Sequence, residues 1–383
     1  MVICATAFEV RLRKQNFMVG ICAIFLVSFT LSLLQTAKRK EAKVEEQARC
    51  WELNLLLQKK IVSGMINFHK TDSEKEKFLM INNWKLRALD RTILMHLLLT
   101  QGCPWEPDAA AVAQYRAQLG QCCNASFWLV VTKENTPLGS YITLDGAKNK
   151  KLRVETELLD MLPERSPFLD TSYRDCAVVG NGGILLNSSC GHEIDRADFV
   201  IRFNLAPMNF SEDVGTKTSL LTINPSIIET KFQYLLARRK PFADALYPYR
   251  DAFFLLPSFS FVGHSTLGYR ALYTMEDFGL VQQALFLNPQ YLRNLSNFWR
   301  TGLQAHRLSS GFMLVSMALE FCERITLYGF WPFSHDLDNK PIPHHYYDNR
   351  KPRPGIHAMP TEFSHYLSMY SQGVLRLRLG KCQ

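Results

Sequence analysis

Residues 176–204 decide the fold, and they read CAVVGNGGILLNSSCGHEIDRADFVIRFN. An apolar run that begins at Cys176 ends in a glycine-rich turn, and a helix-compatible segment then leads to a second apolar run at 198–204. This order of strand, turn, helix and strand predicts the opening of a Rossmann-like βαβ unit. In such a unit the tight turn lets the backbone approach a phosphate or a ribose beside a helix N-terminus. We therefore expect an α/β fold that binds a nucleotide.

The glycine pattern matches a dinucleotide-binding loop only in part. Gly180 and Gly182 fit the fingerprint, but Leu185 stands where its third small residue belongs. The second run ends at Asn204, where a nicotinamide-dinucleotide enzyme needs an acid for the ribose hydroxyls. The pattern disfavours a dehydrogenase. It leaves open a nucleotide with another head group, and also glycines that only make a tight turn.

A second informative stretch is LSSGFMLVSMALEFCERITLYGFWPF at 308–333. It predicts a turn of small polar residues, an apolar helix over about Phe312–Cys322, and then a strand. The backbone N–H groups of Ser309, Ser310 and Gly311 would lie at the N-terminus of that helix. We expect an anion site there, because helix N-termini carry unpaired N–H groups and a positive dipole end.

Three histidines follow in a proline-rich segment, where catalytic side chains are often exposed. His344 and His345 lie in HHYYD, and His357 lies in HAMPTEF. A zinc site is the rival interpretation, but these histidines lack the helical H-E-x-x-H spacing and have no cysteine pair nearby. Purely structural or solvated histidines also remain open.

The composition narrows the class of protein. The 383 residues include 44 Lys+Arg and 35 Asp+Glu, for a net charge of +9, with 47% hydrophobic residues. These values are ordinary for a globular protein and exclude a disordered, collagen-like or multi-span membrane protein. No Lys/Arg block is long enough for a nucleic-acid tail, so we expect no nucleic-acid partner and favour an anionic small substrate.

The N-terminal region predicts a membrane anchor. Residues 17–34, FMVGICAIFLVSFTLSLL, carry no charge and would span about 27 Å as a helix. A cleaved signal peptide and a buried core helix are the alternatives. The short span suits the thinner early secretory membranes. Four N-x-S sequons follow the span and place the C-terminal side in the lumen, at Asn124, Asn187, Asn209 and Asn294.

These features predict four parts of the chain. Residues 1–16 would be a cytoplasmic tail, 17–34 a transmembrane signal-anchor, 35–102 a helical lumenal stem and 103–383 the globular domain. The stem assignment rests on alternating charged and Leu/Ile clusters with almost no Gly or Pro. Its second half could equally be the first helical part of the globular domain.

Four segments of the chain resemble the motifs of one known family and occur in the same order as those motifs. Cys176–Ser226 resembles sialyl motif L, Leu308–Trp331 motif S, His345–Asp348 motif III, and His357–Glu362 the very small motif HxxxxE of the sialyltransferases. HHYYDN with GFWPF is similar to the α-2,8 branch. CPW at 103–105, DAFFLLPSFSF at 251–261 and FWRTG at 298–302 look most like its type VI enzymes, with types V and I next.

The resemblance implies a fold, an activity and a location. The fold would be a GT-A-like α/β variant, with a Rossmann-type nucleotide-binding sheet flanked by helices, behind a single N-terminal transmembrane helix. The activity would be inverting transfer of sialic acid from CMP-sialic acid to sialylated glycoprotein or glycolipid acceptors, without metal or another cofactor. The enzyme would be a type II protein of the Golgi membrane, and a homodimer through the stem stays open. The alternative is a glycan- or nucleotide-binding protein without turnover.

The resemblance also implies roles for individual residues. His357 would be the general base and His345 would stabilise the departing phosphate. Residues similar to the donor-binding ones of the family are Asn181, Asn204, Ser309, Ser310, Gly311 and Trp331. Asp336 and Asp338 spell D-x-D, which many glycosyltransferases use to hold a metal, but we interpret them as a solvated loop pair because the donor is a monophosphate ester.

The chain contains ten cysteines. By resemblance to the family, Cys176 would pair with Cys322 and Cys190 with Cys382. We further expect Cys103 to pair with Cys122 or Cys123, and the partner of Cys50 stays undecided.

Overall fold

The computed structural model describes residues 103–280, 284–299, 307–338, 340–350, 357 and 359–382, with parts of 28–59 and 97–101. Within these residues, no helix is both long enough and apolar enough to cross a bilayer. Most of the predicted span at 17–34, namely residues 17–27, 29 and 33, lies outside the described residues.

A parallel sheet forms the centre of the described part of the chain, and a short antiparallel hairpin lies beside it. The hairpin strands are β1 (Tyr141–Thr143) and β2 (Lys151–Arg153). The sheet strands are β3 (Tyr173–Val179), β4 (Phe199–Phe203), β5 (Leu220–Thr222), β6 (Phe253–Leu256), β7 (Ala284–Phe286), β8 (Cys322–Tyr328) and β9 (Arg376–Arg378).

Helices cover both faces of this sheet. They are α1 (Ala109–Cys122), α2 (Ala125–Trp128), α3 (Thr156–Asp160), α4 (Gly191–Asp195), α5 (Ser211–Val214), α6 (Pro225–Phe232), α7 (Arg239–Leu246), α8 (Val262–Asp277), α9 (Pro289–Phe298), α10 (Ser310–Phe321) and α11 (Met359–Ser371). Single 3₁₀ turns occupy Gly183–Leu185, Gln233–Leu235 and Tyr247–Tyr249. The mixed α/β architecture agrees with the expected fold class.

The strand order is β7-β6-β5-β4-β3-β8-β9, and all neighbours are parallel. The chain therefore starts in the middle at β3, moves outward to β7, and returns to the other side of β3 as β8. A ligand of an open parallel sheet binds beyond the carboxyl ends of the strands, where the order reverses. This rule places the candidate site at the ends of β3, β4 and β8.

Strand β3 shows why the sheet has helices on both faces. Cys176 and Val178 belong to one buried cluster, whereas Ala177 and Val179 belong to another. Successive side chains of a strand point to opposite faces, so an unbroken apolar run needs cover on both sides. Helix α10 supplies cover on the first side, and it is buried almost all round because its residues are apolar on every face.

Four disulfides are present in the described residues. Cys176–Cys322 joins β3 to the start of β8, and Cys190–Cys382 joins α4 to the C-terminus, as the resemblance implied. The sequence separations are 146 and 192 residues. Cross-links that close such long loops stabilise the fold by roughly 5 kcal/mol each in the chain-entropy model.

The prediction for Cys103 was wrong. Cys103 pairs with Cys50, and Cys122 pairs with its neighbour Cys123. Leu57, a few residues after Cys50, is fully buried in the main apolar cluster. Contact with the globular domain therefore brings Cys50 to Cys103, a proximity that spacing along the chain does not reveal.

Candidate active site at the carboxyl edge of the sheet

The glycine turn after β3 packs backbone to backbone against the turn after β8. A Cβ atom on Gly180 would lie 2.9 Å from the carbonyl oxygen of Gly329, and one on Gly182 would lie 2.4 Å from it. Gly329 itself has a φ of +72°, in the left-handed region that favours glycine. These positions need glycine because the two turns meet at the switch point of the sheet.

Asn181 connects three parts of this edge. Its side-chain Nδ2 donates to the carbonyl oxygen of Phe203 at 3.3 Å, at the end of β4. Its own backbone carbonyl accepts from the N–H of Tyr346 at 3.0 Å. The predicted donor-binding Asn181 thus lies between the end of β4 and the loop that carries His345.

Asn204 and Asn224 form a second connection along the edge. Asn204, with a φ of +59°, accepts at Oδ1 from the N–H of Asn224 at 3.1 Å. The Nδ2 of Asn224 lies 3.2 Å from the hydroxyl oxygen of Ser310, at the first position of α10. Asn204 and Ser310 are 106 residues apart in sequence, yet Asn224 bridges them. Asn224 is not among the donor-binding residues that the family resemblance implies, although its place just after β5 is a usable signal.

The N-terminus of α10 is partly occupied by a carboxylate. The Ser309 N–H donates to Oε1 of Glu362 at 2.7 Å, and the Ser309 hydroxyl donates to Oε2. The same hydroxyl caps the helix by accepting from the N–H of Phe312. The sequence predicts an anionic ligand on the Ser309 N–H, but the Glu362 carboxylate accepts that hydrogen bond instead. The anion site at this helix is therefore left to Ser310 and Gly311, whose N–H groups lie in the first turn.

His345 is oriented by Asp348. Nδ1 of His345 lies 2.7 Å from Oδ1 of Asp348, and the ring stacks on Tyr347 with centroids 5.2 Å apart. Burial raises the pKa of Asp348, but hydrogen bonds from His345 and the Arg350 N–H, with their charges, outweigh it and lower the pKa overall. Asp348 is thus an anion that fixes Nδ1 of His345 and leaves Nε2 available.

His357 is oriented by a backbone carbonyl. Its Nδ1 lies 3.0 Å from the carbonyl oxygen of Arg307, which can only accept, so Nδ1 carries the proton and Nε2 carries the lone pair. Although His357 keeps an exposed surface, desolvation lowers its pKa, and the Arg307 cation lowers it further. The hydrogen bond to the Arg307 carbonyl offsets part of this lowering. The neutral imidazole is therefore the favoured form, as a base requires.

Trp331 stands apart from the other predicted donor-binding residues. Its side chain is 5% exposed, and its indole N–H donates to the carbonyl oxygen of His335 at 2.7 Å. The ring packs edge-on against Phe333 and Phe363. The Trp331 side chain therefore packs in the main apolar cluster, and its N–H has a protein acceptor.

The D-x-D segment is folded into a turn. Oδ1 of Asp336 accepts from the N–H groups of Asp338 and Lys340, at 3.0 and 2.7 Å. Asp338 lies 4.0 Å from the Lys340 ammonium. Among the residues that the structure describes, no group of three or more His, Cys, Asp or Glu could hold a metal ion.

The sequons differ in exposure. Asn124, Asn187 and Asn209 are exposed, whereas Asn294 lies half-buried on α9 and accepts from the Gln290 side chain at 2.8 Å. Glycosylation of all four stays a prediction, and the bond from Gln290 engages Oδ1 of Asn294 rather than the Nδ2 that a glycan would join.

Comparison with known proteins places these motifs in a family. Residues 130–374 match the model of glycosyltransferase family 29 (sialyltransferase). Human alpha-2,8-sialyltransferase 8F is 45% identical over 286 residues, which cover 74% of this chain and 72% of the relative. The alpha-N-acetylneuraminide alpha-2,8-sialyltransferase of Xenopus tropicalis is 43% identical, covering 75% and 84%. The crystal structure of a mammalian sialyltransferase with Gal-beta-1-3GalNAc-ortho-nitrophenol has a TM-score of 0.48 at 21% identity, covering 73% of this chain and 99% of that one.

Proposed function

The chain belongs to glycosyltransferase family 29, the sialyltransferases, and on this premise we propose that it transfers sialic acid from CMP-sialic acid to the 8-hydroxyl of a terminal sialic acid. The names of the human and Xenopus relatives support the α-2,8 linkage. The observation that carries the proposal is the pair of oriented histidines, His345 and His357, at the switch-point edge of the sheet.

His357 acts as the general base in this proposal. Its protonated Nδ1 is held by the Arg307 carbonyl, so Nε2 can accept the proton of the attacking hydroxyl. The hydroxyl oxygen forms a bond to the anomeric carbon while the bond from that carbon to the phosphate oxygen breaks, and the configuration inverts. Positioned proton transfer contributes roughly 10²–10⁴ in rate.

His345 stabilises the departing CMP. Charge develops on the phosphate as its bond to the anomeric carbon breaks, and a positioned cationic donor stabilises this charge. The Asp348 carboxylate remains ionised beside Nδ1 of His345, so it fixes the ring and directs Nε2 outward. Leaving-group stabilisation and proton removal are thus given to two different histidines.

Asn181, Asn204, Ser310 and Gly311 hold the nucleotide, with Ser309 and Trp331 as supports behind them. Their location beyond β3 and β4 and at the start of α10 supports a Rossmann-type donor site within a GT-A-like variant. The donor has a single phosphate, so His345 and the first turn of α10 can balance its charge without a metal or another cofactor.

The acceptors are glycoproteins, with O-glycans preferred, or glycolipids that already end in sialic acid. The products are short di- or oligosialyl chains. A ganglioside-directed enzyme is the second candidate, because the segments at 103–105, 251–261 and 298–302 also resemble types V and I. A binding protein without turnover is disfavoured, because both histidines keep their orienting partners.

The proposed location is the Golgi membrane, as a single-pass type II protein with its catalytic domain in the lumen. The uncharged stretch at 17–34 and the sequons after it support this topology. The described disulfides also suit an oxidising compartment.

The test is transfer of labelled sialic acid from CMP-sialic acid by the purified full-length chain. The acceptor panel contains a sialylated O-glycan, its desialylated form and a sialylated glycolipid. We expect transfer to sialylated acceptors, and none to the desialylated one. If none of the sialylated acceptors is extended, the proposed activity is wrong.

His357→Ala then tests the base, with exposed His192 as a matched control. The variant should abolish transfer and leave CMP binding within a few-fold, because the base acts on the acceptor proton. His192→Ala should behave as wild type. Retention of more than about a tenth of wild-type turnover by His357→Ala would remove His357 from this role, since loss of a base costs at least about 10²-fold.

A further inference from the structure

The residue that orients His357 is itself held by a distant loop. Arg307 offers its carbonyl oxygen to His357, and its side chain points to the loop that follows β1. Nη2 of Arg307 lies 2.8 Å from Oδ2 of Asp145, and it also donates to the hydroxyl of Ser260. The side chains are 29% exposed for Arg307 and 10% for Asp145, so this ion pair is shielded from water on its acidic side.

The Asp145 loop is fixed to the protein by its backbone. The N–H groups of Asp145 and Gly146 donate to the carbonyls of Phe259 and Ser260, at 3.2 and 3.0 Å. A Cβ atom on Gly146 would lie 2.4 Å from the ring of Phe261, so the two loops are in close contact. Asp145 therefore presents its carboxylate from a position that does not depend on Arg307.

The base of this loop is tied to a helix as well. Nη1 of Arg293, on α9, donates to the carbonyl oxygen of Thr143 at 2.8 Å. A shielded, geometrically fixed ion pair restricts both partners, whereas an exposed pair contributes little. The restriction on Arg307 extends to its carbonyl, because a side chain held at its end limits the backbone from which it starts.

Several charged groups surround this ion pair. Burial lowers the pKa of His264, and the Arg307 charge lowers it further. The charges of Glu229 and Asp145 offset only part of this lowering. Burial also lowers the pKa of Arg293, and Asp145 raises it in part. Asp145 is thus the carboxylate that acts on both Arg307 and Arg293, while Glu229 faces His264.

We propose that Asp145 is a positioning residue for the base: through its ion pair with Arg307 it fixes the carbonyl that orients His357. The inference rests on the proposed function, in which His357 removes the proton from the hydroxyl group of the acceptor sugar. The carboxylate does not touch the reacting atoms. It acts on turnover by holding Nε2 of His357 where it can accept the proton of the attacking hydroxyl. A displacement of about 1 Å from such a position can cost 10²-fold in rate.

The test compares two charge-removing variants with a control in the full-length chain. Asp145→Asn removes the carboxylate charge, and Arg307→Gln removes its partner. Glu164→Gln is the control, since it makes the same change in the ion pair of Lys133 and Glu164, at 2.6 Å, where Glu164 is 80% exposed. The measurements are kcat, the acceptor KM, inhibition by CMP, and the pH dependence of kcat/KM.

We expect Asp145→Asn to lower kcat by about 10- to 100-fold and to change the acceptor KM and CMP inhibition by less than about threefold. The acid limb of its pH profile should move to lower pH, because an unbalanced Arg307 lowers the pKa of His357 further. Arg307→Gln should also lower kcat but move the acid limb to higher pH. A purely structural role would change the unfolding temperature and leave both limbs in place.

The outcomes separate this inference from the proposed function. If the wild type transfers no sialic acid, the proposed function is wrong and the inference falls with it. If His357→Ala is inactive while Asp145→Asn has wild-type kcat, only the positioning role is overturned. If Asp145→Asn does not fold, Arg307→Gln decides, and a wild-type pH profile for that variant overturns the proposal.

Discussion

Replacing Glu362 by alanine should cost about 3 kcal/mol of unfolding free energy. The Glu362 side chain is 1% exposed and accepts two hydrogen bonds from Ser309, one from its N–H and one from its hydroxyl. Removal leaves the buried Ser309 N–H unpaired, which costs about 1–3 kcal/mol, and loss of the second bond costs about 0.5–1.5 kcal/mol. The two contributions together give the stated value.

The cost of Glu362→Ala should depend on pH. Burial raises the pKa of Glu362, and the two bonds from Ser309 lower it only in part. A carboxyl whose folded pKa lies above its unfolded value contributes stability at low pH, which is lost as pH rises through the folded pKa. We therefore expect the difference between wild type and variant to be larger at pH 5 than at pH 8.

Urea unfolding at both pH values measures this cost, and Asp108→Ala is the matched control. Asp108 also accepts two backbone N–H bonds, from Ala110 and Ala111, but it is an exposed N-cap of α1. Its loss should cost about 1 kcal/mol and leave kcat unchanged. Glu362→Ala should also reduce kcat, because Glu362 ties the helix after His357 to Ser309. Equal costs for the two variants would refute the reasoning.

Three further predictions concern pH, metals and product length. Burial raises the pKa of Glu320 to about 7, so its contribution to stability is lost as pH rises from 4.5 through that value. Glu320→Gln should therefore raise the unfolding temperature relative to wild type more at pH 8 than at pH 5, and equal shifts in thermal scans would contradict this. Activity should survive EDTA, and rescue by Mn²⁺ after chelation would instead implicate the D-x-D at 336–338. The products should carry one or very few added sialic acids, because a long polyanion needs an extended basic track, whereas two residues of the basic cluster at 238–240 are paired with Asp244 and Asp277. Sized chains beyond about ten residues would show that such a track exists.

The local features of the fold were predictable because short-range patterns determine them. The apolar run at Cys176 forms β3, the run at 198–204 forms β4, and the apolar stretch after Gly311 forms α10, close to the expected bounds. β-branched residues favour an extended chain, and the small polar residues before α10 cap it. The four motifs also sufficed to predict the family.

The partners of the site residues were decided by the tertiary structure alone. Ser309 and Glu362 are 53 residues apart in sequence, and Asp145 and Arg307 are 162 apart. Such pairs meet only after the sheet order has brought the ends of distant strands to one edge, and no local pattern encodes that order. The same reason explains Cys50, whose pairing with Cys103 depends on how the N-terminal residues pack on the core. The sequence thus determined which chemical groups the protein carries, and long-range packing determined which of them are free to act.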